Sequence, residues 1–189
     1  MKKMANLCVA MTAFFYSVAQ VSEAPVSINF AFVIDSVLRD FPSNLKHITG
    51  DNLFIREEIE TFQSIVILPG SESCTITRYH SVIDTTLSWQ AQMCHFEEFK
   101  EASRAYHELF RQLKSSYVRM VDGSKIYLNG DCTLASEENA FTVTTMRLAT
   151  YDWRYRNVKV ELELLYKLSN WEININIVSK ERDDVDWAH

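Results

Sequence analysis

The sequence predicts an α+β domain in which two helices cover one face of an antiparallel sheet, in the order α-β-β-β-α-β-β-β-β. Three observations predict it. Two segments carry apolar residues at helical spacing. Most of the others alternate apolar and polar residues one by one, the pattern of a strand with one face buried and one wet. The four glycines sit among turn formers, in Thr-Gly-Asp, Pro-Gly-Ser, Asp-Gly-Ser and Asn-Gly-Asp.

The chain opens as a targeting segment. Lys2 and Lys3 precede a stretch without charge, from Met4 to about Ala19, that holds Leu7, Val9, Met11, Phe14, Phe15, Tyr16 and Val18. A positive head, a short apolar centre and a small-residue exit mark a secretory signal. The run is shorter than the ~20 residues that span a bilayer. Ser17-Val18-Ala19 and Ser22-Glu23-Ala24 both fit a cleavage site. The second leaves Pro25 at the new N-terminus, so the expected leader is residues 1–19, with 1–24 as the alternative. Residues 25–180 are then one domain, and the charged, patternless 181–189 a frayed tail. This organisation predicts a periplasmic or extracellular location.

The first helix, about residues 29–40, is drawn by Phe30, Val33, Ile34, Val37, Leu38 and Phe41, and Pro42 ends it. A polar connection with Gly50 and Asp51 follows. Strands are expected at Glu60–Leu68, at Ser73–His80 and around Leu87–Met93. The second helix is the clearest in the chain, with Phe96, Phe99, Ala102, Tyr106, Leu109, Phe110 and Leu113 on one stripe and Glu97 and Glu98 in its first turn. Strands are then expected at Lys125–Leu128, Phe141–Thr150, Val158–Leu164 and Ile173–Ile177. The order also suits two diverged units, each a helix followed by hairpins.

The formal net charge is −6, and loss of the leader removes two lysines. An acidic chain is a poor match for nucleic acid or an anionic membrane, both of which need a positive face. No nucleic-acid partner and no membrane insertion after cleavage are expected. Cys74, Cys94 and Cys132 are an odd set outside the cytoplasm. Cys74 and Cys94 flank a predicted hairpin and are a candidate pair, but strand parity sets them on opposite faces, so a bridge needs a bulge or twist.

Chemical motifs are weak. His107-Glu108 begins like a zinc-protease helix, but Arg111 stands where the second histidine is required. Cys94, His95 and His80 are too few for zinc, and neighbouring strand residues face apart. There is no Gly-x-Ser-x-Gly elbow and no Ser-x-x-Lys. Asp183, Asp184 and Asp186 lack the glycine and closing glutamate of a calcium loop. No catalytic residue, metal site or cofactor is assigned.

The least ordinary stretch is Tyr151-Asp152-Trp153-Arg154-Tyr155-Arg156-Asn157, which crowds three aromatics and two arginines into a loop between two strands. Aromatic and arginine side chains together typify recognition surfaces. Trp153, Arg154, Tyr155 and Arg156 are therefore the candidate binding residues. The wet sheet face, with Ser88, Gln90, Gln92, Glu161, Glu163, Asn174 and Asn176, is a second candidate surface. Trp89 and Trp171 are expected in the core or at its rim.

The run Ile65-Val66-Ile67-Leu68-Pro69-Gly70-Ser71-Glu72-Ser73-Cys74-Thr75-Ile76, then Trp89, then the helix Tyr106–Lys114, resembles small exported proteins of Bacteroidetes-type bacteria. The resemblance implies export and the α+β fold; its motifs are structural and carry no activity. The expected function is an exported, non-catalytic binding or protein-interaction domain for a protein or small ligand. The alternative is a small-ligand binder or hydrolase with a pocket between helices and sheet.

Overall fold

A computed structural model describes residues 30–80 and 85–179. The leader expected at 1–19 or 1–24 and the tail 181–189 lie outside the described residues. Within them the chain forms α1 (Phe30–Asp40), β1 (Thr49–Arg56), β2 (Ile59–Ser64), β3 (Ser73–His80), β4 (Thr85–Phe96), α2 (Phe99–Lys114), β5 (Tyr117–Arg119), β6 (Lys125–Asn129), β7 (Phe141–Leu148), β8 (Val158–Lys167) and β9 (Asn170–Ser179). Phe41–Ser43 and Trp153–Tyr155 form single 3₁₀ turns.

The strands make one antiparallel sheet in the order β1-β2-β3-β4-β9-β8-β7-β6-β5. Each half is a meander that follows a helix. The last strands of the two halves, β4 and β9, meet in the middle, with Trp89 opposite Ile177 and Ala91 opposite Ile175.

The expected fold class holds, with two strands more than the sequence pattern gives. β1 falls in the segment read as a polar connection. It is an edge strand, exposed along most of its length, so burial imposes no alternation on it. Gly50, expected in a turn, lies inside β1. A Cβ there would come within 2.9 Å of the Gln63 carbonyl oxygen, so the missing side chain serves a close backbone approach. β5 is three residues long, too short for any period to register.

Alternation decides which side of the sheet is dry. Trp89, Ala91 and Met93 of β4, Val160, Leu162 and Leu164 of β8, and Ile173, Ile175 and Ile177 of β9 are all buried on one face. The helices close over that face. α1 contributes Val33, Ile34, Val37 and Leu38 and lies along β5; α2 contributes Ala102, Tyr106 and Leu113 and crosses β8, β9 and β4. Polar groups inside the core are paired. The Trp89 indole donates to Ser64 Oγ at 3.0 Å, and the Tyr106 hydroxyl sits 2.6 Å from Thr144 Oγ1. Thr144 Oγ1 also accepts the Thr133 N–H at 2.8 Å, which ties the segment after β6 to the core. On α1, Asp35 accepts the Arg119 N–H at 2.7 Å, fixing β5 to the helix.

No helix among the described residues is long and apolar enough to cross a membrane. Helix α1 stops where Pro42 predicts, and Asn44 and Leu45 beyond it take left-handed backbone angles.

Candidate functional site

The loop between β7 and β8 is locally ordered by its own sequence. Asp152 caps the short 3₁₀ turn: its carboxylate accepts the Arg154 N–H at 3.0 Å and the Arg154 guanidinium at 2.5–3.1 Å. The Asp152 N–H donates to Thr150 Oγ1 at 3.1 Å. Arg154 holds the Asp152 carboxyl below the usual carboxylate range.

Tyr155 is only 5 % exposed and anchors the loop in the core, where burial pushes its hydroxyl up. The Arg154 guanidinium lies 5.7 Å from the centre of the Tyr155 ring. Above this anchor, Tyr151 and Trp153 project into solvent at 107 % and 82 % exposure. The candidate residues therefore divide. Trp153, Arg154 and Arg156 lie on the surface, while Tyr155 supports them from below. Tyr151, counted in the aromatic-rich stretch but not among the candidate residues, is the most exposed aromatic of the loop.

The polar sheet face forms two rows across three strands: Gln90, Asn176 and Glu161, then Gln92, Asn174 and Glu163; Asn174, expected in water, is buried between its neighbours and the others are half-buried. Burial pushes the Glu163 carboxyl up, against the hydrogen bonds of Asn176 and Asn174. At the end of this face His95 binds Glu72 at 3.0 Å and approaches Glu172 at 3.4 Å, with Lys167 3.7 Å from Glu172 on its other side. The Glu72 carboxylate holds the His95 ring above its ordinary value, and Glu172 adds to the effect.

The histidines and cysteines weighed in the sequence are kept apart. His80 pairs with Thr85, at the opposite end of the β3–β4 hairpin from Cys94 and His95. Cys74 is buried, with its sulfur 3.2 Å from Ser71 Oγ and burial raising its thiol, whereas Cys94 is exposed. All three described cysteines are free. One contact was not legible: Cys132 Sγ lies 3.5 Å from His107 Nδ1, because a long loop returns to α2. Burial raises the Cys132 thiol, the opposite of what an activated nucleophile needs. No group of three or more ligating side chains suited to a metal ion occurs among the described residues.

A second unforeseen feature is a cleft of about 320 Å³ at the far end of the sheet, where the 137–140 segment meets the start of α2. Its floor is aromatic: Trp171 packs against Phe99 at 5.0 Å and Tyr166 at 5.1 Å between ring centres. Its rim carries Glu97, Glu98, Glu137 and Glu138. The Tyr166 N–H donates to the Ala140 carbonyl at 2.8 Å and holds the rim to β8. No short motif signals this cleft, because its parts come from three separated segments.

Comparison with protein-family models, with curated proteins and with solved structures found no match for this chain.

Proposed function

We propose that the protein is an exported, non-catalytic binding protein that recognises a partner outside the cytoplasm through the tip of the 151–157 loop. One observation carries this reading: two large aromatics, Tyr151 and Trp153, stand fully in solvent on a loop whose backbone is held by a cap and a buried anchor. Large apolar side chains in water are a standing cost unless something covers them. A loop ordered before contact loses little conformational freedom on binding, which favours rigid aromatic tips as anchors. Arg154 and Arg156 at the same tip suit a partner with carboxylate or phosphate groups at its contact surface.

Export rests on the Lys2–Ala19 pattern and on the resemblance to small exported proteins. The non-catalytic reading rests on dispersal. The described histidines sit at separate places, most of them against carboxylates, and the one Cys–His contact has its thiol raised. The space between helices and sheet is filled by Trp89, Tyr106, Leu113, Met146, Leu162 and Ile173, which leaves the surface as the place for recognition.

The test is site-specific photocrosslinking. A photoreactive phenylalanine replaces Trp153 in one chain and Val121, an exposed residue on the β5–β6 turn, in another. In the exporting organism, position 153 is expected to give a discrete adduct and position 121 none. No adduct at 153, or the same adducts at both positions, overturns the reading.

A further inference from the structure

The outer face of the β5–β6 hairpin is a separate site, and we propose that it binds a phosphate group through Arg119, Lys125 and the Tyr117 hydroxyl.

The hairpin sets this face up by register. Tyr117 pairs with Tyr127, Val118 with Ile126, and Arg119 with Lys125. Val118 is fully buried, so alternation turns the other two pairs to the open, polar side of the sheet. Arg119 and Lys125 are thus like charges set directly opposite one another, which is destabilising in a sheet. Neither has a carboxylate partner among the described residues, although the chain as a whole is acidic. The acid of the turn between them, Asp122, is engaged elsewhere. Its carboxylate accepts the Ser124 N–H at 2.9 Å and the Ser124 hydroxyl at 2.7 Å. Ser124, and no cation, holds the Asp122 carboxyl below the usual carboxylate range.

Tyr117 joins the two cations. The Lys125 ammonium lies 4.2 Å from the centre of its ring. Hydrogen bonding from Arg119, and then from Lys125, holds the Tyr117 hydroxyl below its ordinary value. A phenol oxygen that accepts from cations still has its own O–H to give, and neither a guanidinium nor an ammonium can accept it. Hydroxyl, guanidinium and ammonium therefore all donate beside one another, and no carboxylate among the described residues takes them up.

That set of donors selects a ligand by charge and shape. Two fixed positive charges match a phosphate monoester, which carries about −1.5 to −2 at pH 7 and offers three acceptor oxygens. A guanidinium grips two such oxygens as a fork, and an ammonium pairs with them as a point charge. Tyr127, 50 % exposed and 5.6 Å from Tyr117 between ring centres, stands beside them and suits an apolar group carried by the ester. Both cations are exposed, so screening keeps the affinity modest, with a Kd on the order of 1 mM.

The phosphate has two sources, free inorganic phosphate or a small organic monoester. The ¹⁵N-labelled full chain is titrated with inorganic phosphate in one arm and phenyl phosphate in the other, each against sodium chloride at equal ionic strength. In at least one arm the amide signals of residues 117–127 are expected to shift saturably while the Trp89 indole signal stays in place; the arm that saturates at lower concentration identifies the source. A chain carrying Arg119→Gln and Lys125→Gln should bind at least about tenfold more weakly. Tyr117→Phe, which keeps the ring and removes the O–H, should bind about threefold more weakly or worse. An unchanged Trp89 indole signal verifies the fold of each variant. Shifts no larger than those from sodium chloride in both arms overturn the proposal, as does equal binding by either variant. None of these results touches the crosslinking test of the loop.

Discussion

The two ends of the sheet use aromatic residues in opposite ways. At the β7–β8 end, Tyr151 and Trp153 stand in solvent while Tyr155 beneath them is buried. At the β8–β9 end, Trp171 is sunk behind a rim of glutamates, with Phe99 and Tyr166 packed at a tilt against it. The first arrangement offers a projecting contact with arginines beside it. The second offers a recess with only negative charge on the described rim. The difference teaches that composition alone does not define a recognition site. The same residue class becomes a projecting knob or the floor of a recess according to whether its loop is anchored under the ring or folded over it.

The largest expected effect breaks the first end from below. Replacing Tyr155 with Ala removes a buried ring and should cost about 3–5 kcal/mol in urea unfolding. Trp153→Ala, two residues away, should change stability by less than about 0.5 kcal/mol because its ring is already in water. Similar costs for the two would show that the anchor and the tip have been misassigned.

A smaller effect acts on the core threonine that holds the segment after β6. Thr144→Val leaves both the Tyr106 hydroxyl and the Thr133 N–H without their partner. It should cost about 1–3 kcal/mol, chiefly for the buried Tyr106 hydroxyl. It should also speed amide exchange in residues 131–140 while leaving the 151–157 loop protected as before.

The smallest effects sharpen the comparison through pH, because the two ends should weaken in opposite directions. His95, near the cleft end, has its value raised by Glu72. Its contribution is therefore full below the unfolded value of about 6.5 and is lost as pH rises through the folded value. Asp152, at the loop end, has its value lowered by Arg154. Its contribution is full above about 3.9 and is lost as pH falls through the folded value. Thermal unfolding of His95→Gln should thus differ from the parent in mild acid and converge with it in alkali. Asp152→Asn should differ near neutrality and converge in strong acid. His95 is exposed and Asp152, though half-buried, pairs with an exposed arginine, so the shifts in Tm should be small.

Much of the fold was legible because burial writes a period into the sequence. The alternation of Ile173, Ile175 and Ile177 with Asn174 and Asn176, and the stripe from Phe99 to Leu113, each led to the element observed. β1 was not legible because an exposed edge strand has no buried face to enforce alternation, and its Gly50 serves a close approach that resembles a turn in sequence. The loop tip was legible as a cluster of aromatics and arginines. Which ring turns inward was not, since that depends on the gap beneath Tyr155 left by elements far away in the chain. The cleft was least legible. Glu97 and Glu98 read as a helix start and Trp171 as core or its rim; only the fold brings them together with Glu137 and Glu138.

On the proposed reading the loop tip, and not the cleft at the opposite end of β8, contacts the partner. The most direct measurement is parallel capture, from exported fractions of the source organism, by three forms of the chain: parent, Tyr151→Ala/Trp153→Ala, and a cleft variant with Glu97, Glu98, Glu137 and Glu138 replaced by Gln. The partner crosslinked at position 153 is expected to be retained by the parent and the cleft variant and lost from the loop variant. Retention by the loop variant, or equal loss from both variants, would contradict it.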